Sequence, residues 1–522
     1  VTTSRGIIML QRVGRCVHMS RTSLKLTGRS LSSSTQSSPW PWPLPNTPNN
    51  IDDRDQVMNG EGYRCYGSSN YEQLKSNWSE SCKLDHARMV APAGVDEVQE
   101  IIRGCEHLSI VGSGHSFNDA SRTTGGTMIS TAYLNVISEI DVDTMTVTCG
   151  AGTTMGELCR YLHARGCALY NTASFPQLTV AGAIATGTHG TGVKYPGVAG
   201  NVAALEIVTG GGTLKKLTRG EDDFKAAAVS LGALGVITSL TFDILPEYTI
   251  NQRVYGGIHI DSVSFSETLR IADNVGALIN FGAGVIELLH VRDRVEVDFD
   301  DSATTNTDDD DNNATTTTTT NTPHTNNTTK EAHEHELYGD LITEPVVAWE
   351  SHQQLLTTSK GPWLQHLHHF MDGSSRSFRD VPLPVLSFQT EFFVDLDVVD
   401  DALVAVANVA KHWPGWSTWD GVTPHTQGLA HICEVRTTAA DDLWLSPSYK
   451  RATASIHFTL ATYPTAAFAV AKQLEDVLRP FDARAHWGKL WTESPINKYP
   501  KADLFKEIRN EFDPNNKFKT DF

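Results

Sequence analysis

An apolar run, Leu108 to Val111, stops at Gly112-Ser-Gly-His115-Ser-Phe-Asn-Asp119, and this turn constrains the fold more than any other stretch of the chain. Two glycines in three residues let the main chain reverse tightly and bring its N–H groups against a ligand. They also present His115 directly after a residue with no side chain. The turn fails the dinucleotide fingerprint, because position 117, where a third glycine belongs, is Phe. A histidine in a glycine turn commonly does no more than hydrogen-bond that turn, so His115 needs a second signal.

A second glycine-rich block runs from Asn171 to Gly192 and includes Ala181-Gly-Ala-Ile-Ala-Thr-Gly-Thr-His-Gly190. Small residues this dense again suit close approach of main-chain donors to phosphate or ring carbonyl oxygens. No Lys-Ser/Thr follows in the P-loop position, so neither block supports a Rossmann or P-loop fold. Around them the patterning predicts a helix over Asp96 to Gly104 (Val98, Ile101, Ile102) and strands over Val136 to Val142 and Met145 to Cys149. It predicts a helix over Met155 to Gly166 with Leu158 and Leu162 on one face, and a strand from Val202 to Thr209. Val229 to Leu245 reads as a short helix, a tight Gly232-Ala-Leu-Gly235 and a further strand.

The 522 residues exceed one ordinary core, so two domains, or one domain interrupted by another, are expected. Val1 to Ile51 carries five Arg and one Lys with no acid, the composition of an organelle transit segment or a disordered tail. Trp40-Pro-Trp-Pro-Leu-Pro then reads as an extended linker, and globular sequence begins near Tyr71. Residues 298–329 are Asp, Asn and Thr repeats that cannot offset their ordering entropy, so a disordered surface insertion is expected. Sequons at Asn313, Asn326 and Asn327 arise from that composition, and Asn77 begins another. The net charge is −19, and most of it lies outside these two segments, which argues against a nucleic-acid partner. No apolar run reaches the roughly 18–20 residues of a membrane span, so a soluble protein, organellar or cytoplasmic, is expected. The eight cysteines show no zinc spacing and no metal is expected; a Cys65–Cys82 disulfide stays open.

Further along, Phe388 to Leu396 reads as an alternating strand, and helices are expected over Val398 to Ala410 and Thr465 to Leu478. Side chains at i and i+2 of a strand share a face, so Glu434 projects with Arg436, and His457 with Thr459. The alternate positions Cys433, Val435, Ile456 and Phe458 are apolar or nearly so. If the two strands pair, one face is core and the other carries acid, base, imidazole and hydroxyl. On pattern alone, a solvated, salt-bridged sheet face is the plainer reading.

Four motifs in one order are more specific than any of them singly: Gly112-Ser-Gly-His115-Ser-Phe, Ala181 to Gly190, Glu434-Val-Arg436 and His486-Trp-Gly-Lys489. Together they resemble the vanillyl-alcohol-oxidase type of flavoprotein, and within it the alditol (xylitol) oxidases, with sugar-lactone oxidases as near relatives. The likeness covers about Asn77 to Phe522, apart from the Asp/Thr tract. It implies an α+β, two-domain FAD-linked oxidase fold: a PCMH-type FAD-binding domain over 77–245, and an antiparallel-sheet substrate domain over 246–486. Segment 487–522 would return to the first domain, and 1–70 would stay outside both. It implies FAD attached covalently through His115 and held by Val111, Gly112, Ser113, Gly114 and Ser116. Gly182, Thr186, Gly187, Thr188, His189 and Gly190 would hold the pyrophosphate and ring, with Val236 and Ile237 near the adenine and Ser174 near the reactive edge.

By the same resemblance, Arg436 and Lys489 would bind the oxygen of the alcohol being oxidised, and His457 would accept its proton, Lys489 being the other candidate base. Glu434, His457, Thr459 and Ser174 would hold the remaining hydroxyls of a small neutral polyol. Hydride would pass to flavin N5 and the electrons to oxygen, giving hydrogen peroxide. An aldonolactone oxidase or dehydrogenase is the nearest alternative. A flavin-binding protein without turnover is the alternative of another class.

Overall fold

Six antiparallel strands form the first sheet, in the order Tyr63–Arg64, Val136–Ile137, Thr146–Gly150, Gly235–Asp243, Val202–Thr209 and Leu214–Thr218. This computed structural model describes residues 63–64, 76–77, 82–84, 86–121, 125–296, 349–350, 353–363, 387–413, 432–461 and 464–518. The Arg-rich opening segment, the proline linker, Cys65, the 298–329 tract and the sequons at Asn313, Asn326 and Asn327 lie outside the described residues. A smaller parallel sheet sets Thr127–Ser130 between Arg88–Val90 and Leu108–Val111.

One hydrophobic core lies against the first sheet. It collects Val98 and Ile102 from the helix Val95–Gly104, and Leu158 and Leu162 from the helix Met155–His163, with Ile207 and Phe242 from the strands. The second helix starts where Thr154 and Glu157 close a capping box, each satisfying a main-chain N–H of the other. Trp487, Tyr499, Phe505, Phe512 and Phe518, from the end of the chain, pack into this same core.

The second sheet has nine strands, all paired antiparallel. Its middle runs Tyr248–His259, Val285–Glu296, Asn274–Asn280, Ile432–Thr438, Thr453–Ala461 and Ser387–Asp395. Ile432–Thr438 and Thr453–Ala461 pair with Glu434 opposite His457, Cys433 opposite Phe458 and Val435 opposite Ile456. Period-two alternation therefore sends Cys433, Val435, Ile456 and Phe458 into a second core. The helices Val399–Ala410 and Pro464–Leu478 cover that core with Val399, Leu403, Val406, Val470 and Leu474.

Local differences from the sequence reading have local causes. The strand expected over Val136 to Val142 ends at Ile137, because Asp141 turns the chain by accepting from the Asp143 and Thr144 amides. The helix expected after Val229 lies earlier, at Asp222–Ala227, with two acids in its first turn. Leu231 and Gly232 instead take left-handed conformations, φ 57° and 76°, and turn the chain into the next strand. Sheet structure begins at Tyr63, ahead of Tyr71. The strand Ser387–Asp395 is buried on both faces from Phe388 to Phe393 rather than half-exposed. Among the described residues no helix is long and apolar enough to cross a membrane.

Candidate active site

The two glycine blocks meet. A Cβ at Gly112 would stand 2.0 Å from Thr179 Oγ1, so only glycine lets the first turn lie against the start of the second block. Ser113 stitches them together: its Oγ accepts from the Thr179 amide (3.3 Å) and pairs with His115 Nδ1 (3.0 Å). Gly114 has φ 69°, which swings the chain so that His115 reaches the cleft. Burial holds the His115 imidazole down at about 4, a neutral ring at physiological pH. Asn77 is 2% exposed, and its side-chain amide donates to Ser116 O (2.8 Å); this sequon asparagine is a buried brace of the turn.

The same turn is tied to the end of the chain. Phe117 N donates to Gly488 O (2.8 Å), and Asn118 Nδ2 donates to Trp487 O (2.6 Å) and Lys489 O (2.9 Å). Trp487 is anchored in turn by its indole N–H on Leu445 O (2.7 Å) and by stacking on Tyr499. Residues some 370 positions apart in sequence thereby hold His115 and Lys489 on one cleft of about 1380 Å³, its open mouth included.

The polar face of the nine-stranded sheet is the cleft's other wall. Glu434, His457 and Glu391 lie directly opposite one another on three neighbouring strands. This face is not solvated: Glu434 is 4%, Arg436 5%, His457 8% and Glu391 0% exposed. Glu391 receives three donors from three segments, Lys489 Nζ at 2.5 Å, His189 Nε2 at 3.0 Å and Arg436 Nη2 at 3.3 Å. Arg436 also reaches Ser174 Oγ through Nη1 (3.0 Å) and Glu434 through Nε (3.3 Å). His457 stands between Lys489 Nζ (3.4 Å from Nδ1) and Thr459 Oγ1 (3.2 Å from Nε2). His457 Nδ1 also faces Glu434 Oε2 (3.6 Å), so the ring stands between a cation, a carboxylate and a hydroxyl.

Charge balance follows from this geometry. Burial alone pushes the Glu391 carboxyl up, but Lys489, His189 and Arg436 together hold it well below the usual carboxylate range. Burial likewise opposes ionisation of Glu434, and Arg436 and His457 outweigh it. Burial, then the Lys489 charge, brings His457 to about 4, so it is a neutral base. Burial lowers Lys489, while Glu391 works against that shift. The 2.5 Å contact is that of an ammonium donating to a carboxylate.

Of the residues read from sequence, Gly112, Ser113, Gly114, His115, Ser116, Ser174, Gly182, Thr186, Thr188, His189, Ile237, Glu434, Arg436, His457 and Lys489 line the cleft. Val111 points away into a small cluster with Leu84 and Met128, and Val236 is in the first core. Gly187 carries a left-handed turn (φ 69°), Gly190 borders a smaller neighbouring pocket, and Thr459 backs His457. Sequence reading missed Glu391. Its signal was there: an acid directly before Phe392-Phe-Val394, in a strand that, once buried on both faces, tolerates it only with partners.

An FAD fits the residues present. Gly112, Gly114, Gly232 and Gly235 leave the cleft wall without side chains, as a flat ligand and a pyrophosphate require. The hydroxyls of Thr131 and Thr179, also in that wall, are buried with no hydrogen-bond partner among the described residues.

Comparison with known proteins agrees. The family model described as FAD binding domain matches residues 87–218, and that of D-arabinono-1,4-lactone oxidase matches residues 310–522. The chain is 29% identical to alditol oxidase of a Streptomyces species over 452 residues, 86% of this chain and 97% of the relative. It is 26% identical to L-gulono-1,4-lactone dehydrogenase of Mycobacterium tuberculosis over 461 residues (86% and 97%). It is 24% identical to L-gulonolactone oxidase of Mus musculus over 472 residues (85% and 95%). The chain thus resembles alditol and sugar-lactone oxidases along most of its length, with an α+β fold that includes an FAD-binding domain.

Proposed function

We propose that this flavoprotein oxidoreductase oxidises the terminal primary alcohol of an alditol, of the xylitol or sorbitol kind, to an aldose, with FAD joined covalently through His115. The observation that carries the reading is the buried row Glu434–His457–Glu391 with Arg436 and Lys489 beside it: Glu434, His457, Arg436 and Lys489 line the same cleft as His115, and Glu391 backs them. A neutral, densely hydroxylated chain needs alternating donors and acceptors rather than a charged clamp, and this row supplies both. Bound FAD would supply a two-electron acceptor for the hydride of the carbinol carbon, with oxygen as the terminal oxidant and hydrogen peroxide as its product.

The chain's own residues do the rest. Arg436 and Lys489 donate to the reacting oxygen and stabilise the negative charge that grows as its proton leaves. Neutral His457, beside Lys489, accepts that proton. Thr459 fixes the His457 ring, while Ser174 and Glu434 hold further hydroxyls. In domain terms, 77–245 with 487–522 forms the FAD-binding part and 246–486 the substrate part; Trp487 to Phe518 packing into the first core supports this.

Oxidation of a sugar 1,4-lactone is the second reading, favoured by the match of residues 310–522 to the lactone-oxidase family. Anaerobic flavin bleaching and peroxide release, compared for xylitol, sorbitol and L-gulono-1,4-lactone, decide between them. Xylitol or sorbitol is expected to bleach the flavin and yield peroxide; response to the lactone alone overturns the polyol assignment. Separately, denatured protein is expected to keep its yellow colour, and His115→Ala to lose it. Retained colour in that variant removes His115 as the attachment point.

A further inference from the structure

Behind Ser174 and Arg436 lies a second, narrow pocket of about 270 Å³ with its open mouth included, roomy enough for a single hydroxyl, and both residues stand in the walls of both cavities. Its distinctive member is Arg292, on the strand Val285–Glu296 and 3% exposed. Arg292 is paired in register with Gln252 on one side and Asn274 on the other. Its Nε donates to Gln252 Oε1 (2.6 Å) and its Nη1 to Asn274 Oδ1 (3.1 Å). Asn274 is itself fixed by donating to Thr191 O (3.0 Å). The guanidinium is therefore rigidly placed: both of its hydrogen bonds go to neutral amide oxygens, and the charge of Glu434 works against its burial.

Its remaining nitrogen, Nη2, is buried with no hydrogen-bond partner among the described residues. A buried charged donor without an acceptor is strongly unfavourable, and an oxygen entering the pocket would relieve that cost. Arg436, the neighbouring cation, is already paired with Glu391 and Glu434. The pocket is thus rich in donors and presents Arg292 for an incoming oxygen.

We propose that this pocket is a distal subsite, in which Arg292 Nη2 donates to a hydroxyl oxygen at the end of the polyol remote from the oxidised carbon. The inference rests on the polyol reading given above. The chain would run from Lys489 and His457, past Arg436 and Ser174, to Arg292, and the enzyme would thereby measure substrate length. Alditols too short to reach gain nothing from Arg292; those that reach lose a charge-assisted hydrogen bond when it is removed.

The test compares holoenzyme with Arg292→Met, which keeps side-chain length but removes the donors, and with Arg292→Lys, which keeps the charge but withdraws the Nη2 position. For each, kcat/KM is measured by peroxide release on alditols of three to six carbons, with thermal stabilisation by the same alditols as a binding readout. The expected result is a loss of about 10- to 100-fold on the longer alditols in both variants, with glycerol changed less than about threefold. An equal loss at every length, or no loss at any, overturns the subsite while leaving polyol oxidation standing. Absence of both turnover and stabilisation with every alditol in the unaltered enzyme overturns the subsite and the polyol reading together.

Discussion

Glu391 shows how one residue can set the state of its neighbours. It is wholly buried, and it is the common acceptor of Lys489, Arg436 and His189. Glu391→Gln keeps the shape but removes the charge that holds the Lys489 proton. Because Glu391 raises Lys489, its loss lets burial lower that lysine further, so the variant should lose activity on the alkaline side at a lower pH. The kcat at neutral pH should drop by about 10²-fold or more, the scale for removing support from an oxyanion-stabilising donor. A pH–rate profile checks this: a uniform drop with an unmoved alkaline limb means that Glu391 is only structural. The polar alternation of Glu434 with Arg436 was legible in the sequence, as was the kinship of His457 with Thr459. That His457 faces Glu391 was not, because register across a sheet depends on which strands become neighbours.

At the scale of elements, the site is a junction between a glycine turn and a sheet face. The turn from Gly112 to Asn118 is stitched to Thr179 on one side and to Trp487–Lys489 on the other. Gly112→Ala puts a methyl where Thr179 Oγ1 now lies, and the two blocks must part. The expected outcome is a lower flavin content per protein, read from the ratio of visible to ultraviolet absorbance, with the melting temperature also reduced. Full flavin occupancy in that variant would show that the contact between the blocks does not shape the cofactor site. The glycine blocks announced themselves through composition alone. The helix misplaced after Val229 did not, since a short apolar run fits helix, turn or buried strand until its tertiary contacts choose.

Taken whole, the molecule buries an unusual set of ionisable groups between its two cores, and that makes its stability dependent on pH. His457 is held at about 4 by burial and by Lys489, and His189 and His486 are lowered in the same direction, burial first. In the unfolded chain each returns to about 6.5. Between these values the unfolded state binds more protons, so stability falls as pH drops from about 6.5 towards 4, by on the order of a few kcal/mol for His457. Below that window the depressed carboxylates Glu391 and Glu434 add their own loss. Melting temperatures of the holoenzyme across this range should fall steadily, and His457→Gln should flatten part of the slope; a slope unchanged in that variant removes His457 from the account. By itself the sequence determined the two glycine blocks and the identities and shared faces of the polar residues, because these are encoded in local composition and in spacing along one strand; the α+β fold and the flavin came from the resemblance carried by four motifs in one order. Only the tertiary structure decided that the polar sheet face is buried, that Glu391 and Arg292 belong to it, and that Asn118 ties Lys489 to the turn of His115. Those are contacts between different strands and segments, up to 371 residues apart, and their strength comes from exclusion of water, which no local pattern records.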